Sequence, residues 1–327
     1  VFRKRPGLLF ALLIVISMLA VLFALLTGSV AVSGPSVYAA LTGSAPDNVH
    51  TLIVELRLPR ALSAIAVGGL LAVAGVLMQV LLRNPLAEPY ILGSSGGAAV
   101  AALIAIIAGL GANLVDLAAF GGAMAATFLV FSVAQGSGSW TPARLLLTGV
   151  VLAAGFSAAT TLLLALTPDR NLRGMLFWLM GDLSFAYEPL RLLLLLAVVT
   201  VSGWFAARHL NVLARGDLQA AIVGLPVAGW RIGIFSVTAL ATAISVTTVG
   251  VIGFVGLVIP HLIRLLAGSD HRIVLPASAL AGGTLLVIAD TLSRTLLAPR
   301  QLPVGALTAL LGVPLFLLLM NRSQRGS

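Results

Sequence analysis

Gly93-Ser94-Ser95-Gly96-Gly97 has the spacing G-x-S-x-G. In hydrolases that pattern forms a sharp strand-to-helix turn, which presents the middle serine to an acyl carbon. Ser95 would then be the nucleophile and His261 its base. The flanking residues oppose this reading. Arg83-Asn-Pro-Leu-Ala-Glu-Pro89 reads as a tight turn, because each proline disfavours helix in the residue ahead of it. Apolar helix surrounds the serines, with no strand signal. The glycines fit close helix packing, or a helix break beside a pathway, better than a catalytic elbow.

His261 follows Pro260 within an apolar run, and Arg264 lies one turn later. Ionisable groups inside a membrane are functional candidates, and a proline frees a backbone carbonyl that a neighbour can satisfy. A kink with a hydrogen-bonded histidine is the simpler reading. No second histidine stands at the i+4 position and no carboxylate pair is near, so no metal site is expected. His50, His209 and His271 fall in loops or at span ends. Asp116 lies at a turn and Asp290 at a span end. No row of acids crosses the apolar runs, which counts against a proton-coupled pump. Lys4 is the only lysine, so the phosphate loop G-x-x-x-x-G-K-[ST] cannot form. The chain is expected to be no enzyme and to bind no cofactor. If ATP drives it, another chain holds the ATP and Mg.

The elements that position these residues are set by composition. The chain has 327 residues, is 60% hydrophobic and 9% charged, and has a mean hydropathy of +1.12. Soluble globular chains carry about 25% charged residues. The pattern is that of an all-α polytopic membrane protein. No cysteine is present, which excludes disulfides and thiolate metal sites. The net charge of +9 comes from arginines scattered at the ends of apolar runs, so no nucleic-acid partner is indicated. The first residue is Val1, so an initiator methionine is expected to be missing.

Ten spans are expected, at about 8–26, 61–82, 90–109, 115–134, 144–166, 190–208, 229–248, 251–267, 273–290 and 303–320. They form a single transmembrane domain over residues 1–327. Residues 28–59 and 167–191 are expected outside the membrane. Within the second, Met175-Leu-Phe-Trp-Leu-Met180 reads as a short interfacial helix. Gln135 to Pro142 reads as an inner loop.

One polar interruption, Leu213 to Trp230, reads as a capped helix outside the membrane, with its core at about 213–228. Asp217 can cap its start, since a carboxylate accepts free N–H groups of a first turn. Gly224 is a natural left-handed terminator and Pro226 forbids continuation. Leu218, Ile222 and Leu225 are spaced to share one apolar side. A helix this short does not persist alone in water, so it needs a surface. It is either a docking helix for a soluble partner or a loop that turns the chain between spans.

The basic residues test the topology. Inner positions hold Arg3, Lys4, Arg5, Arg83, Arg144, Arg208, Arg215, Arg231, Arg264, Arg272, Arg322 and Arg325, twelve in all. Outer positions hold Arg57, Arg60, Arg170, Arg173, Arg191, Arg294 and Arg300, seven in all. The bias follows the positive-inside rule and places both termini in the cytoplasm. The outer arginines either meet something acidic or offset Asp47, Glu55, Asp169, Asp182, Glu188 and Asp290 on the same side.

Several segments taken in order resemble the FecCD family of ABC importer permeases, which includes vitamin B12, ferric-siderophore and haem permeases. They are Arg57-Leu-Pro-Arg60, Arg83 to Gly93, Arg144-Leu-Leu-Leu-Thr-Gly149, Gly216 to Pro226, Gly253 to Arg264, Asp270-His-Arg272 and Leu302-Pro-Val-Gly305. The resemblance implies a homodimeric type II importer permease with ten helices per subunit in the bacterial inner membrane. It implies two separate ATP-binding subunits on the inner face and a periplasmic substrate-binding protein on the outer face. Arg215, Gly216, Asp217, Leu218, Gln219, Ala221, Gly224, Leu225 and Pro226 would form the ATPase-coupling element. Arg57, Arg60 and Arg294 match arginines that dock the binding protein. Asn84, Leu86, Pro142 and Ala143 match an inner gate, although some members carry small hydroxyl residues where this chain has Pro142 and Ala143.

The leading expectation is a permease for an iron complex, haem or ferric siderophore, with vitamin B12 as the alternative cargo. An ion-coupled secondary transporter is the rival from another class, and an intramembrane hydrolase using Ser95 and His261 is a third.

Overall fold

The computed structural model describes residue 2 and residues 5–28, 30–136, 141–184, 186 and 188–324. Arg3, Lys4, Arg325 and positions 137–140 of the expected inner loop lie outside the described residues, as does the side chain of Arg322.

Fourteen α-helices build the described chain: α1 Pro6–Leu26, α2 Gly34–Leu41, α3 Asp47–His50, α4 Leu58–Leu82, α5 Ser94–Ile107, α6 Ala112–Gln135, α7 Pro142–Leu166, α8 Asp169–Met180, α9 Pro189–Leu213, α10 Asp217–Ile222, α11 Val227–Val249, α12 Val255–Ala267, α13 His271–Thr295 and α14 Val304–Gln324. Seven helical stretches are long and apolar enough to cross a membrane, and Ser94–Ile107, Val255–Ala267 and Val304–Leu318 are shorter apolar helices. Together these ten match the expected spans.

The centre of the bundle is α4. Nearly every residue from Ala61 to Leu82 is buried, and α13, α11, α9, α12 and α1 pack around it. Small residues make this possible. A Cβ on Gly68 would collide with the carbonyl of Gly282, and one on Gly75 with that of Gly256. Backbone therefore meets backbone, where lipid-like side chains alone would give no preference for one contact over another. In a second group, Gly97 of α5 meets Gly122 of α6 in the same way. α7 is different: only Leu145 and Gly149 are buried along its 25 residues.

The segment at 28–59, expected outside the membrane, is largely helical. It holds α2, and from Asp47 the chain is helical without a break into α4, through a π-helical turn at Thr51–Arg57. Leu58 N–H reaches back to Ile53 C=O, and Pro59 falls in the first turn of α4, where a missing N–H costs little. The interfacial helix is also longer than Met175–Met180, since α8 begins at Asp169.

Two expected spans are shortened by irregular backbone. Pro89–Leu92 is a 3₁₀ turn, and Gly93 turns left-handed (φ 75°) before α5. Residues 250–253 carry no helix, and Phe254 turns left-handed (φ 70°) before α12. Such backbone survives inside an apolar bundle only when its polar groups find partners. Glu88 Oε1 accepts Phe254 N–H at 2.8 Å, and the Tyr90 hydroxyl accepts Ile252 N–H at 3.2 Å. Asp182 N–H donates to Val249 C=O at 2.8 Å.

Candidate functional site

At one end of the bundle the chain leaves α9, forms α10 and enters α11. Gly216 (φ 126°) is the residue before the helix, in a conformation that L side chains rarely adopt. Gly224 (φ 80°) closes it. Gly224 N–H donates to Ala221 C=O at 2.9 Å and Leu225 N–H to Ala220 C=O at 3.0 Å. These two bonds form the left-handed termination expected of glycine after a helix.

The expected cap at Asp217 is corrected. Asp217 is the first helical residue, not the residue before it, and no side chain caps the helix start. Its carboxylate accepts a hydrogen bond from Arg231 of α11 and pairs with Arg83 at 3.4 Å. Two guanidinium groups outcompete the free N–H groups of a short turn, because bonds between ions are about twice as strong as neutral ones.

The faces of α10 differ. Ala220 is buried against the bundle, and Leu225 packs on the core. Leu218 and Ile222 are 76% and 75% exposed, with Arg215, Gln219 and Ala221 exposed beside them. Leu225 therefore does not share the face of Leu218 and Ile222. The small residue holds the helix down, and the large apolar ones point away from the protein. Pro226 is exposed and precedes the first turn of α11.

Beside α10 lies a cavity of about 410 Å³. Leu82, Arg83 and Asn84 form one wall, and Thr141, Pro142, Ala143 and Leu146 the other. Three of the expected gate residues, Asn84, Pro142 and Ala143, are thus brought together from distant parts of the chain. Leu86 is exposed and lies outside this lining, but its N–H is bound by Asn84 Oδ1 at 2.9 Å, so the two share one turn. Arg83 ends α4 in the left-handed conformation (φ 50°). Thr141 Oγ accepts Arg144 N–H and caps α7. Arg83 and Thr141 were missed as site residues, although each is the immediate neighbour of one that was found.

The three arginines expected to dock a partner lie at the opposite end, and all are engaged internally. Arg57 is 4% exposed and donates to Leu25 C=O at 2.6 Å and to Val30 C=O. Arg60 grips Asp290 through Nε and Nη2 at 2.7–3.1 Å and donates to Ser184 Oγ at 3.0 Å. Arg294 pairs with Asp290 at 3.2 Å one turn away. Asp182 completes the group, 3.7 Å from Arg60 and bonded to Ser184 and Gln301. Two arginines face two aspartates, so the cluster is neutral. Arg170, Arg173 and Arg300 are exposed at this end, and no ion pair joins them among the described residues.

Ser95 and His261 share no hydrogen bond among the described residues. Ser95 sits in the first turn of α5 after a 3₁₀ turn, with no strand before it. The ring of His261 meets Phe316 of α14, with 6.1 Å between ring centres. A nucleophile elbow is absent from this part of the fold.

The described residues thus build ten apolar helices, irregular turns between them and an exposed helix between two spans. The profile of the FecCD transport family matches residues 13–322. The chain belongs to that family. It is 38% identical to the hemin transport system permease protein HmuU of Yersinia pestis, over 99% of this chain and 98% of the relative. It is 39% identical to the vitamin B12 import system permease protein BtuC of Escherichia coli, over 83% of this chain and 84% of the relative. Among solved structures, a metal-chelate type ABC transporter in an inward-facing conformation matches with a TM-score of 0.87 and 30% identity, covering 97% of this chain and 99% of that one. This FecCD member is a multi-pass membrane permease of the ABC importer type.

Proposed function

We propose that the chain is the membrane subunit of an ATP-driven importer that receives a haem-like or other metal-chelate cargo from a periplasmic binding protein and releases it in the cytoplasm. The observation that carries this is α10. It presents Leu218 and Ile222 to the outside while Ala220 anchors it, which is the arrangement expected where a soluble partner seats. That partner is an ATP-binding subunit, which supplies the ATP and Mg. Arg215, Gly216, Asp217, Leu218, Gln219, Ala221, Gly224, Leu225 and Pro226 form the coupling element. The α10 end is cytoplasmic, as are both termini. Two copies of the chain enclose the pathway, and the exposed length of α7 supports such a dimer.

Haem is taken as the first candidate cargo and vitamin B12 as the next, since the hemin and vitamin B12 permeases match at 38% and 39% identity. A ferric siderophore is the third cargo of the same kind. Docking of the binding protein falls to Arg170, Arg173 and Arg300, because Arg60 and Arg294 are neutralised by aspartates and Arg57 is spent on backbone carbonyls. Exposed charges steer association and are screened by salt.

The test is ATP hydrolysis by the chain reconstituted with its ATPase and binding protein. Haem, a ferric siderophore and cyanocobalamin are each offered on the binding protein. Stimulation by one of them supports the reading and names the cargo. An assembly that never retains an ATPase overturns it.

A further inference from the structure

The gate turn at residues 83–86 and α10 are more than 130 residues apart in the chain, yet the two touch. Asp217, the first residue of α10, is 3.4 Å from Arg83 Nη2 and bonded to Arg231 Nη2 on α11. We propose that Asp217 is the latch through which movement of α10 reaches the gate. This rests on the importer reading above and adds to it a pair of positioning residues, Asp217 and Arg83.

The geometry separates the two halves of the latch. The Arg231 side chain is 15% exposed and hydrogen-bonded to Asp217, which ties Asp217 to the start of α11. The Arg83 side chain is 38% exposed and stands 3.4 Å away. A half-exposed pair of this kind is weak, as a contact must be if it is to open and close in each cycle. Arg83 is also committed to the gate by its backbone. It ends α4 with φ 50°, and Asn84 next to it organises the turn by binding Leu86 N–H. A displacement of Asp217 therefore pulls on one wall of the 410 Å³ cavity, while Thr141, Pro142 and Ala143 on α7 stay behind. Gly216 fits the same scheme. A Cβ there would stand 3.7 Å from Arg83 Nη1, so the guanidinium lies directly over the backbone that leads into α10.

The chain has no cysteine, so a single introduced thiol reports on the gate without background. Leu146→Cys lies in the cavity wall. The reconstituted chain and ATPase are labelled with a water-soluble maleimide, without nucleotide and with ATP trapped by vanadate. With Arg83 and Asp217 intact, the labelling rate changes severalfold on trapping. With Arg83→Gln, which leaves α10 untouched, the ATPase stays bound and the change is lost. In assemblies that retain the ATPase, Asp217→Asn also loses the change, Asp217→Glu keeps it, and the double variant is no worse than either single one. A full response in Arg83→Gln overturns the latch and leaves the importer reading standing. If no response to nucleotide occurs with both residues intact, the importer reading fails and the latch with it.

Discussion

Arg60 at the start of α4 and Asp290 near the end of α13 are joined by three hydrogen bonds of 2.7–3.1 Å. The Asp290 side chain is 3% exposed, and it faces Arg294 as well. Its removal leaves Arg294 without its carboxylate and Arg60 with only Asp182, 3.7 Å away. Breaking a buried pair from one side typically costs about 3–5 kcal/mol. Asp290→Ala is therefore expected to lower the unfolding midpoint in detergent strongly. Arg60→Ala with Asp290→Ala should cost less than the sum of the single changes, and additive losses would show that the pair is not coupled.

Glycine positions should divide by what surrounds them. Gly75→Ala places a methyl group on the Gly256 carbonyl, so α4 and α12 must separate. Gly7→Ala meets no atom within 4 Å. Overpacking a tight contact costs about 1–3 kcal/mol. The first variant should unfold early and the second should melt like the natural chain, as read by thermal denaturation in the same detergent.

The end of α10 depends on a left-handed residue. Gly224→Val forces a branched side chain into φ 80°, at a cost of roughly 1–2 kcal/mol. The spans should stay folded while co-purification of the ATPase falls. Gly216→Val forces a branched side chain into φ 126° at the other end and should act likewise. Unchanged retention of the ATPase by both variants would leave α10 as a plain connecting loop.

Acid should loosen the tie between α9 and α13. Burial raises the Asp270 carboxyl pKa, but the hydrogen bonds from Asn211 Nδ2 and Arg272 N–H, with the nearby Arg272 and His271 charges, outweigh it and hold it below the usual value. A carboxyl depressed in the folded state stabilises that state above its ordinary pKa of about 3.9. The contribution is lost as pH falls through the depressed value. Protection from hydrogen exchange at the start of α13, taken relative to the intrinsic rate at each pH, should therefore fall at low pH, and Asn211→Ala should reduce that dependence. Protection that ignores pH in the natural chain would remove the role assigned to Asp270.

The ten apolar helices were legible because hydrophobic length sets a span regardless of its neighbours. α10 was legible because Gly224 and Pro226 punctuate a polar stretch. The role of Asp217 was not, since its partners Arg83 and Arg231 come from other helices and no local rule ranks them above the nearest N–H groups. The same holds at the opposite end. Arg57, Arg60 and Arg294 read as outer charges from the sequence, and only the fold shows that Asp290 and the Leu25 and Val30 carbonyls occupy them. The helical stretch at 47–57 was hidden by Pro59, which usually marks a boundary but here sits in a first turn behind a π-helical one. Glu88 and Tyr90 gave no signal, because the unpaired N–H groups they satisfy lie more than 150 residues away on the chain, at Ile252 and Phe254.

Ser95→Ala separates transport from hydrolysis. Ser95 is bonded to no base among the described residues, so uptake by the variant should equal that of the natural chain. Loss of uptake with the variant folded and assembled would restore the serine to a chemical role.

The most direct measurement is accumulation of haem in sealed vesicles that carry the chain with its ATPase and binding protein. Haem should accumulate when ATP is supplied on the α10 side, and a proton or sodium gradient without ATP should give none. Accumulation driven by an ion gradient in the absence of ATP would contradict the account, and the chain would then be a secondary transporter.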